Sequence, residues 1–392
     1  MLGIAAVLAL AGGTIYTSPA DQPIRNGVVL IVDGKIAAVG GKAVLRGRRD
    51  VKTIDCTGFT VTAGFWNSHV HFLERKWANA GGIPSSELGR QLEEMLTRYG
   101  FTSVFDLSSS WENTRRLRDR IESGEIPGPR IYSTGQGLLP QKPGIPDASL
   151  GFMGWMKAPG AEVSTAAEAA AAARKLLELG VDGIKVFASA PSKSVFPEGG
   201  IAAVSGEAHR AGKPVFVHPN NGADVLTALH AGADVIAHTT PSSGGWDDAI
   251  LGAIKESRAA LTPTLTIWKY YMRHERISVQ DQTVNAEVGQ LRAWIAAGGA
   301  VLFGTDVGAI DPDPSEEYRL MAQAGMGFRQ ILAALTTAPA GRFEGAGRAG
   351  RITPGFPADL VVLGGDPARD IRALAEVRYT LRAGRIVYRR GD

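Results

Sequence analysis

One alternating pattern restricts the fold of this chain more than any other feature. Between about residue 100 and residue 306, short apolar runs are each followed by a loop and an amphipathic segment rich in Ala, Leu, Glu and Arg. The strand-like runs of this region are FTSVFDL, RIYSTG, GIKVFAS, PVFVHP, DVIAHT, ALTPTL and VLFGTD. A similar run, TAGFWNSHVHF, precedes them. Eight strand–helix units in one direction predict an α/β fold, a closed (β/α)₈ TIM-type barrel of about 250 residues.

The segments between these runs have the composition and the stop signals of helices. STAAEAAAAARKLLELG, NGADVLTALHAGA and NAEVGQLRAWIAAGG are predicted helices, and the predicted helices end at Gly180, Gly212, Gly232 and Gly298. An open, doubly wound sheet is the alternative fold. No glycine-rich phosphate-binding motif follows the first strand, so the barrel is favoured.

Both ends of the chain follow a different pattern, with short strands joined by turns such as Asp33-Gly34 and Ala383-Gly384. Neither flank is long enough for a core of its own. We therefore predict that residues 1–62 and 350–392 form one small composite β-sandwich domain. The barrel, residues 63–349, is then a separate domain inserted between the two flanks.

The bulk composition is that of an ordinary soluble protein. Of 392 residues, 44% are hydrophobic and 21% are charged, and 42 Lys and Arg against 39 Asp and Glu leave a net charge of +3. This charge predicts neither a nucleic-acid nor a membrane partner, so a small-molecule substrate is expected and a homo-oligomer is left open. The single cysteine, Cys56, excludes an intrachain disulfide and is interpreted as a small strand residue.

The apolar N-terminus, MLGIAAVLALAGGTIY, resembles a signal peptide only superficially. It has no Lys or Arg before Arg25, and its apolar run is shorter than the roughly 20 residues of a membrane span. We interpret it as the first strand and expect a cytoplasmic protein. A periplasmic or secreted location is left open, with residues 1–7 as the remnant of an export signal.

Polar residues of unusual type end several of the predicted strands. These residues are His69 and His71 on strand one, Lys185 on strand four, His218 on strand five, His238 on strand six and Asp306 on strand eight. Side chains two residues apart on a strand point to the same side, so the first two imidazoles face one space. The C-terminal strand ends of a barrel form one mouth, and imidazole and carboxylate groups suit Zn²⁺ and related ions. A lysine in an apolar strand needs a partner or a lowered pKa.

The other three histidines serve as a comparison. His209 and His230 lie in predicted helices, and His274 lies on a polar stretch after strand seven. We predict that none of the three binds a metal.

At these residues, and over nearly the whole chain, the sequence resembles the amidohydrolase superfamily of metal-dependent hydrolases. The resemblance rests on SHVH in strand one, the strand-four lysine, single histidines on strands five and six, GTD on strand eight and GRITPGFPADLVVLGGDP after the barrel. Within the superfamily, the chain is similar to the branch near imidazolonepropionases and prolidase-type dipeptidases.

The resemblance implies a binuclear centre with two Zn²⁺ ions, other divalent ions being left open. His69 and His71 would bind the more buried ion, and His218 and His238 the more exposed one. Lys185, carboxylated by CO₂ to N6-carboxylysine, would bridge the two ions. Asp306 would bind a metal and transfer the proton of the attacking water. A single-metal site, with Lys185 as a hydrogen-bond donor or electrophile, is the alternative.

The expected reaction is hydrolysis of an amide or cyclic amide C–N bond in a small molecule such as an N-acyl amino acid or a dipeptide. A lactonase or esterase on the same centre and a non-catalytic scaffold are the alternatives. No acid follows His218 in the run His218-Pro219-Asn220-Asn221, which disfavours a nucleobase deaminase. That missing acid and Lys185 also argue against an imidazolonepropionase.

Loops after the strands are expected to select the substrate. Candidates for a carboxylate contact are Arg75, Lys76, Lys193, Lys269 and Arg273, and candidates for an apolar wall are Trp77, Trp268, Tyr270 and Tyr271. Loop charges are usually solvated and loop aromatics usually pack, so the substrate-binding residues remain unknown at this stage.

Overall fold

The computed structural model describes residues 7–48, 50–142, 160–190, 193–274, 280–345 and 350–391. Its strands are β1 (Val7–Ile15), β2 (Ile24–Val32), β3 (Lys35–Gly40), β4 (Lys52–Asp55), β5 (Thr60–Ala63), β6 (Phe65–Val70), β7 (Phe101–Asp106), β8 (Arg130–Ser133), β9 (Leu138–Pro140), β10 (Ala161–Val163), β11 (Ile184–Phe187), β12 (Val215–His218), β13 (Val235–Ala237), β14 (Ala260–Thr262), β15 (Ala300–Val301), β16 (Leu360–Leu363), β17 (Val377–Arg382) and β18 (Arg385–Arg389).

Its α-helices are α1 (Ser85–Met95), α2 (Trp111–Glu122), α3 (Ala166–Glu178), α4 (Gly200–Arg210), α5 (Gly222–His230), α6 (Asp248–Glu256), α7 (Leu265–His274), α8 (Gln280–Ala296), α9 (Ser315–Gln323), α10 (Phe328–Leu335) and α11 (Thr337–Phe343). The three segments predicted from their composition are α3, α5 and α8. Within the described ranges, no helix is both long and apolar enough to cross a membrane. The cytoplasmic location stays a prediction.

Parallel strands and helices alternate through the middle of the chain, which confirms the predicted α/β class. A three-stranded sheet has the order β6-β7-β8, and a seven-stranded sheet has the order β10-β9-β11-β12-β13-β14-β15. All pairs in both sheets are parallel. Every residue of β6 and β7 is buried, as expected for parallel strands covered on both faces.

Backbone hydrogen bonds connect the first of these strands to the segment that follows β15. The amide of Ser68 donates to the carbonyl of Phe303 at 2.7 Å, and the amide of Asp306 donates to the carbonyl of His69 at 2.9 Å. Closure of a barrel needs such bonds between its first and eighth strands, and complete closure stays a prediction. The eighth strand itself is shorter than predicted. The strand β15 ends at Val301, and Asp306 lies in the irregular segment beyond it.

The two ends of the chain meet in one eight-stranded sheet of order β18-β17-β16-β5-β1-β2-β3, with β4 paired to β1. The N-terminal strand β5 pairs antiparallel with the C-terminal strand β16. Leu10, Val29, Val61 and Leu360 belong to the buried core on this sheet. Strand pairing of the flanks is therefore observed, while the sandwich and the domain boundaries stay predictions. Cys56 is buried and follows β4 directly rather than lying within it.

Candidate metal centre

The predicted site residues lie at or beyond the C-terminal ends of the parallel strands, except Lys185, which lies within its strand. His69 lies in β6 and His71 directly follows it, Lys185 lies in β11, His218 is the last residue of β12, His238 directly follows β13, and Asp306 lies beyond β15. Parallel strands bring residues at the same end of each strand to one edge of the sheet. This topology places the six side chains toward the same end of the parallel strands.

The carboxylate of Asp306 is the centre of the group. Its Oδ1 atom lies 2.7 Å from Nε2 of His71 and 3.3 Å from Nε2 of His69, and its Oδ2 atom lies 3.9 Å from Nδ1 of His238. Each of the three histidines, and Asp306 itself, is at most 5% exposed. The ligand atoms of His69, His71 and Asp306 all lie within 4.8 Å of one another, so one divalent ion could take all three.

Two further imidazoles extend this group into one contiguous set. The ring centroids of His69 and His238 are 4.6 Å apart, and those of His218 and His238 are 4.5 Å apart. The other histidines lie elsewhere: His209 is in α4, where it pairs with Asp234 at 2.7 Å, and His230 is in α5. The side chain of His274 lies outside the described residues.

Burial determines the protonation of the imidazoles. It lowers the pKa of His69 and His238 well below the ordinary 6.5, and burial together with nearby Lys185 lowers the pKa of His218 to about 3. These rings are therefore neutral at pH 7. A neutral imidazole has one nitrogen lone pair, which is the form that binds a metal.

Lys185 has the environment that its sequence context predicted. It is 1% exposed, its ammonium makes no hydrogen bond to any residue that the structure describes, and it lies 5.4 Å from the ring centre of Phe187. Burial lowers its pKa to about 7, although the charge of Asp306 opposes this shift. An amine that is substantially neutral near pH 7 can act as a nucleophile.

Unpaired buried atoms show that the cluster is incomplete as a hydrogen-bonded network. Within the described part of the chain, both ring nitrogens of His69 and the amine of Lys185 are buried without a hydrogen bond. Leaving such groups unpaired is costly, and native proteins rarely do so. Because these are metal-binding groups beside a buried carboxylate, the residues fit a divalent cation.

The backbone around the cluster is strained or closely packed. His238 has φ +97°, Asp306 has φ +63° and the β-branched Thr264 has φ +46°. Left-handed φ values at non-glycine residues are uncommon and cluster at functional sites. A Cβ atom added at Gly304 would lie 2.9 Å from Cβ of His69, so this glycine lets the segment after β15 approach β6.

The sequence analysis missed Asp106, which is fully buried at the end of β7. Its carboxylate accepts hydrogen bonds from Ser133 at 2.7 Å, from Thr114 at 3.1 Å and from Ser109. The hydroxyl of Ser109 in turn accepts the amide of Phe72 at 2.9 Å, directly after His71. An aspartate at the end of the apolar run FTSVFDL was the signal that could have revealed it.

The Asp106→Ala variant is expected to lose at least about 1–3 kcal/mol of unfolding free energy, because three buried hydroxyls lose their acceptor. Urea denaturation followed by circular dichroism measures this loss. Asp119→Ala, on the exposed part of α2, is the control and should stay within about 0.5 kcal/mol of the wild type. Equal stability of both variants would show that the hydroxyls find other partners.

Most of the predicted loop contacts already have partners within the chain. Lys76 pairs with Glu74 at 2.8 Å, Lys269 pairs with Glu316, and buried Trp77 donates its indole N–H to Glu74 at 3.2 Å. Trp268 and Tyr270 pack on Ile267, Ala309 and Ile310. Arg75 and Lys193 are exposed, and the side chains of Tyr271 and Arg273 lie outside the described residues. A cavity of about 260 Å³ is lined by Glu74, Lys76 and Tyr270 and by Val307–Pro312, the loop directly after Asp306.

Comparison with known proteins identifies the family. The profile of the amidohydrolase family matches residues 60–387. The chain belongs to this family. This amidohydrolase is 24% identical over 404 residues to an ochratoxinase of Aspergillus niger, covering 91% of this chain and 82% of the relative. The superfamily resemblance is thereby confirmed, and the relatives support a hydrolytic enzyme that acts on C–N bonds.

Solved structures of similar fold include a Xaa-Pro dipeptidase and a prolidase. The amidohydrolase superposes on a Xaa-Pro dipeptidase with bound methionine at a TM-score of 0.82, with 22% identity over 98% of this chain and 100% of the other. A prolidase complexed with N-methylphosphonate-L-proline gives a TM-score of 0.78 and 25% identity, again over 98% of this chain and 100% of the other.

Proposed function

We propose that this amidohydrolase is a metal-dependent hydrolase of an amide or cyclic amide bond in a small molecule, on a closed (β/α)₈ barrel with a terminal β-sandwich. The observation that carries the proposal is the buried cluster of imidazoles around Asp306, together with a buried lysine that makes no hydrogen bond to the described residues. His69 and His71 would hold one Zn²⁺ ion, and His218 and His238 a second. The bound ions would polarise the substrate carbonyl and lower the pKa of a bound water to about 7.

The chain itself supplies proton transfer. Asp306 would accept the proton of the attacking water and deliver it to the leaving nitrogen, so that the C–N bond breaks as the new C–O bond forms. His69 and His238 stay neutral because burial lowers the pKa of both rings, and they therefore serve as ligands rather than as acids.

Lys185 would become an anionic ligand by carboxylation. Its neutral amine forms an N–C bond with CO₂ and releases one proton, which yields a carbamate on N6. The pKa of about 7 supports this step, because the amine must be neutral to react. An anion at this position would bridge the two ions and remove the cost of a buried ammonium.

A dipeptide or N-acyl amino acid is the substrate class that the dipeptidase-like structures support best. We propose that such a small molecule, rather than nucleic acid or a membrane, is the main partner of the protein. A lactonase or esterase remains the second candidate, since attack by a metal-activated water does not require a nitrogen leaving group.

A hydrolysis screen tests this proposal. Zinc-loaded protein is incubated with dipeptides, N-acyl amino acids, cyclic amides and lactones, and Asp306→Asn serves as the blank. Turnover of an amide that disappears in the variant supports the proposal. Activity on lactones alone would assign the enzyme to the ester-hydrolysing alternative.

Zinc is also expected to stabilise the fold. At a free concentration of 100 times its Kd, one ion should add about 2.7 kcal/mol to the unfolding free energy. Thermal melts of metal-free protein with zinc, and with magnesium as the control ion, measure this effect. Identical melting temperatures and undiminished hydrolysis after exhaustive chelation would contradict a metal-dependent mechanism.

A further inference from the structure

A threonine determines which ring nitrogen of His238 carries hydrogen. The hydroxyl of Thr264 donates its only hydrogen to the carbonyl of Pro263 at 2.8 Å, so toward Nδ1 of His238, at 2.7 Å, it can only accept. We therefore assign the hydrogen of this neutral ring to Nδ1, which leaves the lone pair on Nε2. Thr264 is completely buried and has the strained φ of +46°, so the fold maintains this contact at a cost.

At His218, the contact with an asparagine places the hydrogen on the other ring nitrogen, Nε2. The Nδ2 group of Asn220 donates to the carbonyl of Ser189 at 2.9 Å and to its hydroxyl at 3.1 Å, so Oδ1 is the atom that faces His218. This oxygen lies 3.4 Å from Nε2 of His218, and an amide oxygen can only accept. The hydrogen is therefore on Nε2, and the lone pair is on Nδ1.

A buried acid holds this asparagine in place. Asp224 accepts the hydroxyl hydrogen of Ser189 at 2.6 Å and the backbone amide of Asn220 at 2.8 Å, both on Oδ2. Ser189 is 7% exposed and Asp224 is 8% exposed. Because the contact to His218 is long, the fixed orientation of the amide matters more than the strength of that single bond.

Neither lone-pair nitrogen is used elsewhere. Among the described residues, Nδ1 of His218 and Nε2 of His238 make no hydrogen bond, while the two ring centroids lie only 4.5 Å apart. Two neighbouring rings that are held in opposite tautomers, each with one free nitrogen, are suited to a shared cation. Partners behind the ligands commonly fix the tautomer and raise metal affinity in this way.

We propose that Asn220 and Thr264 are positioning residues that present Nδ1 of His218 and Nε2 of His238 to one metal ion. This inference rests on the proposed metal centre. It also gives a role to Asn220 in the run His218-Pro219-Asn220-Asn221, where this amide lies two residues after the ligand and no acid is present.

Zinc titration against a competing chelator tests the proposal, with a matched control for each residue. Asn220→Ala and Thr264→Val should bind the second ion about 10- to 100-fold more weakly than the wild type, and Thr264→Ser should restore the affinity. Asn221→Ala removes the neighbouring asparagine, which caps α5 at 3.0 Å, and Thr262→Val removes a buried hydroxyl two residues away. Both controls should bind zinc as the wild type does.

Nitrogen-15 spectra of zinc-loaded protein with labelled histidine rings provide a readout that does not depend on activity. We expect a hydrogen on Nε2 of His218 and on Nδ1 of His238, and loss of the defined tautomer of His218 in Asn220→Ala. The reverse tautomers, or variants that match their controls while the wild type binds two ions, would overturn the positioning role alone. A wild type that binds no zinc would refute the metal centre on which the role depends.

Discussion

Asp306→Asn is expected to hydrolyse the amide substrate about 10²- to 10⁴-fold more slowly than the wild type, as a loss in kcat. Asparagine keeps the shape of the side chain but cannot accept the proton of the attacking water. The carboxylate lies 2.7 Å from His71 and 3.3 Å from His69, so it is the acid nearest to both strand-one ligands. Steady-state kinetics at saturating zinc, with metal content measured by mass spectrometry, separate lost catalysis from lost metal.

The control for this variant is Asp248→Asn, which removes the same charge from the exposed first turn of α6. Its kcat should stay close to that of the wild type. If Asp306→Asn retained both ions and a kcat within about threefold of the wild type, Asp306 would not be the proton acceptor.

Lys185→Met is expected to bind one zinc ion where the wild type binds two, because methionine cannot form the bridging carbamate. Without metal, by contrast, the variant should have a higher free energy of unfolding than the wild type at pH 7. Burial lowers the pKa of Lys185 from its ordinary 10.5 to about 7, so between these values the unfolded chain holds a proton that the folded chain lacks. The unfolding free energy of the wild type should therefore rise with pH across this window, by about 1.4 kcal/mol per pH unit from this group.

The apolar variant avoids this cost, so Lys185→Met should be the more stable protein at pH 7, and its advantage should shrink as the pH approaches 10.5. Denaturant melts without bicarbonate measure the difference, and Lys175→Met, on the exposed side of α3, is the control. Retention of two ions by Lys185→Met would refute the bridge, and a pH-independent difference in stability would refute the buried neutral amine.

Much of the fold was predictable because local patterns report on local structure. Apolar runs bounded by turn residues marked the parallel strands, and amphipathic spacing marked helices such as α3 and α5. The strand-end positions of His69, Lys185 and His218 followed from the same runs, since the topology of parallel strands places their C-terminal ends together. The predicted length of the eighth strand was wrong, because the run VLFGTD does not reveal where backbone pairing ends.

The features that local patterns did not predict depend on contacts between distant parts of the chain. Lys269 is a candidate for a substrate carboxylate in the sequence, and in the structure it pairs with Glu316 from another helix. Asp106 lies near the end of the apolar run FTSVFDL, and three hydroxyls from separate segments converge on its carboxylate. Pairing of this kind arises only when the chain is folded, and no local pattern encodes it.

The sequence by itself determined the α/β class, the family, and which residue types end which strands, because these depend on periodicity and on residue identity. Only the tertiary structure decided how those groups meet. Burial lowers the pKa of His69, His218 and His238 and makes these rings neutral. The carboxylate of Asp306 lies among three imidazoles, and partners such as Thr264 determine which ring nitrogen is free. Each of these properties is a matter of distance and of exclusion from water, which the chain acquires only on folding.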